Sequence, residues 1–89
     1  AKPEWWNDEG LKALSVRVVR AAPNDVEANK MRAIVLCGSR RAWEAGPRSA
    51  AELKQAATHY ERAAALCDAP AAKTELADCA DWCRSQAAI

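Results

Sequence analysis

"AATHYERAAALCDAP", Ala56 to Pro70, is the stretch on which the fold turns. Its apolar letters recur at steps of three and four. Ala56, Ala57, Tyr60, Ala63, Ala64 and Cys67 fall on one side of a helix, with Leu53 one turn earlier. A single aromatic is set among small residues. Small side chains let two helices approach closely, and the ring fills the space their neighbours leave. The same letters hold the only histidine, His59, and one of four cysteines, so they also raise the question of chemistry.

Outward from this stretch, the helix boundaries are well marked. "SAAE", Ser49 to Glu52, is a capping box for the helix that carries Tyr60, and Gly46 and Pro47 before it stop the preceding one. "CDAPAA" is the next turn, with Pro70 suited to a first helical position. The fourth helix then puts Ala72, Leu76, Cys79, Cys83 and Ala87 on one stripe.

Upstream, the second helix opens at "NDVE", where Asn24 and Glu27 resemble a capping box. Ala28, Met31, Val35 and Ala42 mark its apolar face, widened by Ala33, Ile34 and Cys37, as in a helix wedged between neighbours. The first helix carries Leu11, Leu14, Val18 and Ala22 on one face and ends at Pro23. Asn7 or Asp8 can cap it, and Trp5 and Trp6 can staple back onto its first turn. The expected spans are approximately 8–22, 25–43, 50–67 and 70–87 of one domain covering 1–89. Short links force antiparallel neighbours, so the chain reads as all-α: four antiparallel helices as two stacked helix-turn-helix hairpins.

Composition supports this class. Of 89 residues, 22 are Ala and only 19 are larger apolar residues (Leu, Val, Ile, Met, Trp, Tyr), so close-packed helices are favoured over a bulky core. Net charge is +1, which provides no global field for nucleic acid or anionic lipid. No apolar run approaches the roughly 18–20 residues of a membrane span, and "AKPEWWNDEG" lacks the basic-then-apolar pattern of a signal peptide. The expectation is an intracellular, cytoplasmic setting with reduced thiols.

The block "AATHYERAAAL" resembles the second helix of a tetratricopeptide repeat. Ala56 and Ala63 stand at the small-residue positions, Tyr60 at the aromatic between them, and Leu66 three beyond. "VVRAAPNDVEANKMRAIVL" resembles a junction between repeats, with Ala33 and Leu36 at the packing positions of a first helix, and "ELADCA" repeats that pattern with Leu76, Ala77 and Ala80. Between Leu36 and Ala56 lie about eleven residues more than a 34-residue unit has, so the chain holds one complete repeat with flanking half-repeats and an insertion. An A-x₃-Y-x₂-A pattern also occurs in other small helical bundles.

The resemblance implies a non-catalytic protein- or peptide-interaction module and scaffold, with a groove lined by first helices. Carried onto this sequence, the groove residues are Glu27, Lys30, Ile34, Thr74, Asp78 and Trp82. One subclass clamps a peptide carboxylate with Lys and Asn one turn apart. Lys30 matches the lysine but Ile34 stands in place of the asparagine, which argues against that clamp. Trp43 and Trp82 are candidate aromatic anchors or end seals. The partner is a protein or peptide of unstated identity, self-association is open, and neither nucleic acid nor membrane is expected.

The competing chemistry is a small zinc- or redox-linked protein using Cys79 and Cys83 with His59. The two thiols are four apart and face one way, and in a hairpin turning near 68–69 Cys79 lies level with His59. Against it, both thiols share the apolar stripe with Leu76, where Cys behaves as a small hydrophobe, and structural zinc wants four closed ligands. His59 falls on the flank of its helix as a boundary residue, with no nucleophile placed beside it. No catalytic constellation or phosphate-cradling glycine loop is present, so no enzyme activity, cofactor or metal is expected. The basic cluster "GSRRAW" with Arg48 reads as solvation of a helix end.

Overall fold

A computed structural model describes residues 8–37 and 49–88. Among them the chain is all-α: α1 (Asp8–Ala21), α2 (Val26–Cys37), α3 (Ala50–Leu66) and α4 (Pro70–Ala87). Each helix packs on its neighbour in the chain, α1 on α2, α2 on α3 and α3 on α4. The expected extension of the second helix toward residue 43, the Trp5–Trp6 staple, Trp43 and the basic cluster lie outside the described residues.

Local chemistry explains the boundaries. Ser49 caps α3 in full: its Oγ accepts from the Glu52 amide at 3.1 Å, and its own amide donates to Glu52 Oε1 at 3.1 Å. Pro70 opens α4, where its missing N–H costs nothing. The start of α2 departs from expectation. Asp25, not Asn24, caps it, with a carboxylate oxygen accepting from the Ala28 amide at 2.9 Å. The helix begins one residue later than the "NDVE" reading implies, which puts Glu27 too early to reach back to the cap.

The core is built around α3. Ala56 and Ala63 are fully buried, Tyr60 is 4% exposed, and Ala33 of α2 and Ala80 of α4 meet the same cluster as Leu36, Leu53, Leu76 and Cys83. This is the packing foreseen from the small-residue spacing: alanine on both sides of an aromatic brings α2 and α4 close to α3. The first helix is rotated relative to the expected face. Leu11, Ser15 and Val19 form its deepest stripe, while Leu14, Val18 and Ala22 are half-buried. The cause is polar. Arg32 of α2 lays its guanidinium on α1, donating to the Lys12 carbonyl and to Ser15 Oγ, both at 3.0 Å.

Candidate functional site

Both α2 and α4 pack on α3, and no comparable α2–α4 packing is present among the described residues. The space left between them is an open cleft of about 170 Å³. Val26, Glu27, Lys30 and Ile34 form one wall, and Ala72, Glu75, Leu76 and Cys79 form the other. Tyr60 floors it, and Cys67 closes the end near the α3–α4 turn. The interior is apolar, with Glu27 and Glu75 exposed at the mouth and the Lys30 stem half-buried.

Of the expected groove residues, Glu27, Lys30 and Ile34 line this cleft. Thr74, Asp78 and Trp82 do not; they are exposed on another face of α4, where Trp82 keeps 48% of its surface in solvent. The reason is rotational. Burial of Leu76, Ala80 and Cys83 against α3 turns the 74–78–82 stripe outward and brings Ala72, Glu75 and Cys79 to the cleft. Ala56, Tyr60 and Ala63 are buried, as their shared helix face implies, and Leu66 is half-buried.

His59 has a different partner from the one considered in sequence. Its Nδ1 lies 3.1 Å from Oδ1 of Asn29 on α2. Asn29 is fully buried, and its Nδ2 donates to the Pro23 and Asp25 carbonyls, both at 2.9 Å. Those two acceptors fix the orientation of the amide, so Oδ1 faces the imidazole and His59 Nδ1 must carry the hydrogen. One side chain thus ties the α1–α2 turn to α3. Burial, then the positive charges of Arg32 and Arg62, lower the pKa of His59 from its ordinary value. Nothing in sequence flags Asn29, because asparagine inside a helix ordinarily reads as a solvent-facing residue.

A second polar seam crosses α1, α2 and α3. Lys12 Nζ is 2.6 Å from Glu52 Oε2, and the hydrogen bond from Lys12 is the leading cause of a lowered Glu52 pKa. Burial, then Arg20, lower Arg32 from its usual value, opposed by Glu52. These groups stand on the side of α2 that faces α1, and none of them lines the cleft.

The cysteines divide by environment. Cys37 and Cys83 are buried, whereas Cys67 and Cys79 are half-buried. Cys37 Sγ lies 3.7 Å from the Tyr60 hydroxyl. Burial, with the neighbouring Cys37 and Cys79, pushes the Cys83 thiol up to about 12. Among the described residues no group of three or more His, Cys, Asp or Glu is arranged to hold a metal ion. No described helix is long and apolar enough to cross a membrane. No protein-family model, curated protein or solved structure matches this chain.

Proposed function

We propose that this protein is a non-catalytic peptide-binding module of the tetratricopeptide type, and that the α2–α4 cleft receives an apolar side chain of its partner. The observation that carries this reading is the open, mainly apolar cleft between α2 and α4, floored by Tyr60. Glu27, Lys30 and Ile34, three of the six groove residues that the repeat resemblance implies, line it. An apolar pocket with a few polar groups at its mouth is a usual form of ligand site. Ile34 and Leu76 supply the contact area, and Lys30, Glu27 and Glu75 the orienting charges.

The zinc-linked alternative has less support, because His59 is engaged by Asn29 and the described residues hold no group of three or more His, Cys, Asp or Glu arranged for a metal ion. A peptide-display selection against the purified chain tests the binding reading, with an Ala72→Glu variant as comparison. Ala72 is half-buried in the wall, so the substitution fills the cleft without entering the α3 core. Enrichment of a motif with an apolar anchor, lost with the variant, is the expected result. Failure to enrich any motif, or equal binding to the filled cleft, removes the proposal.

A further inference from the structure

With Thr74, Asp78 and Trp82 turned away, the charges that line the cleft are Glu27 and Lys30 on α2 and Glu75 on α4. The two carboxylates are exposed and stand one on each wall, so an occupant has an anion on either side. Neither has an ion pair or a side-chain hydrogen bond among the described residues. Carboxylates elsewhere on these helices are engaged: Glu52 by Lys12, Glu61 by Arg84, and Asp25 by the Ala28 amide. Lys30 is the one cation among the described lining residues, so two carboxylates against one ammonium leave the mouth negative. An ammonium only donates, and Lys30 therefore suits a main-chain carbonyl of an extended segment. Between the charges lie Ile34 and Leu76, with Tyr60 beneath.

We propose that the partner segment is basic: its apolar side chain enters the cleft, and a Lys or Arg on each side of that anchor meets Glu27 on one wall and Glu75 on the other. This rests on the peptide reading of the cleft and adds the sign of the partner's charge. Burial of the anchor supplies affinity without direction. The flanking charges decide which segments are admitted and how they lie. A segment with acidic flanks sets like charges face to face at both walls and is rejected. Exposed pairs are modest and screened by salt, so the preference is graded and depends on ionic strength. The chain as a whole carries a net charge of +1, so this selection comes from local placement and not from the global field. A rival surface of the same sign exists where Asp78 stands one turn before the exposed Trp82 on the outer face of α4, and the test separates the two.

The test titrates the full chain into short fluorescent peptides and follows anisotropy at low ionic strength. Each peptide has a central Leu, Ile, Met or Phe flanked on both sides by paired Lys, paired Gln or paired Glu; a Ser-centred Lys series is the control. The apolar-centred Lys series should bind tightest, by roughly threefold over Gln and tenfold over Glu, and about 0.5 M salt should shrink that advantage. In the chain carrying Glu27→Gln and Glu75→Gln, the Lys series should fall to parity with the Gln series, whose own affinity stays unchanged. Both replaced side chains are exposed and unpaired among the described residues, so the fold is retained. Equal or tighter binding of the Gln or Glu series overturns the sign of the partner and leaves the cleft reading standing. A Lys advantage that survives the double variant places the selection on another surface, such as Asp78 beside Trp82, and overturns the inference. Equal binding of the Ser-centred series, or no binding by any series, removes the cleft reading and this inference with it.

Discussion

Asn29→Ala is the substitution with the most to lose for its size. The side chain is fully buried and makes three hydrogen bonds: two donated to the Pro23 and Asp25 carbonyls at 2.9 Å, one accepted from His59 at 3.1 Å. Each is worth roughly 1 kcal/mol net, and a buried group left without its partner costs more. Two features moderate the loss. The Asp25 carbonyl keeps the helical bond from the Asn29 amide, and Pro23 lies at the surface, where water can replace the lost donor. The result is a destabilisation of about 2–4 kcal/mol, a large share of what a domain of this size possesses. Urea unfolding followed by circular dichroism measures it as a lower midpoint at unchanged slope, with a melting temperature lower on the order of 10–20 °C. Asn29→Asp should be at least as damaging, since a carboxylate cannot donate and sets an anion against two carbonyls. In a double-mutant cycle with His59→Ala, a coupling of about 1 kcal/mol isolates the cross-helix bond. An Asn29→Ala chain within about 0.5 kcal/mol of the parent would refute the reasoning.

Three further outcomes are expected. Ser49→Ala removes the α3 cap and should lower stability by about 1 kcal/mol in the same urea assay, with Ser49→Gly costing less. The pKa of His59 is lower in the folded chain, so its contribution to stability is complete above the ordinary value of 6.5 and declines as pH falls from there toward the folded pKa. His59→Gln should flatten that part of a stability–pH profile, leaving a second decline below 4.5 where Glu52 loses its ion pair with Lys12. Finally, a thiol reagent used without denaturant should modify Cys67 and Cys79 before Cys37 and Cys83; uniform rates at all four would contradict the burial pattern.

The parts of this fold that could be read in sequence are those set by local rules. The α3 capping box depends on four adjacent residues, and Pro70 on one, so both stand as expected. The α3 face was equally legible, because Tyr60 among alanines admits one close-packed arrangement. Elements that depend on a partner were not. Ser15 is buried because Arg32 arrives from another helix, and that contact rotates α1 away from its Leu14–Val18 face. Asn29 joins residues 6 and 30 positions away, which no spacing within one helix reveals. On α4 the polar stripe Thr74, Asp78 and Trp82 followed the repeat resemblance, whereas burial of Leu76 and Cys83 decided which residues meet the cleft.

The peptide cleft is the central claim, and amide shift mapping tests it most directly. A peptide enriched by display is titrated into the isotopically labelled chain while backbone resonances are followed. The account predicts that the largest changes fall on Val26, Lys30, Ile34, Cys79 and the Tyr60 region, the walls and floor between α2 and α4. Changes concentrated instead on Asp78, Asp81 and Trp82, with the cleft residues unmoved, would contradict it and place binding on the outer face of α4.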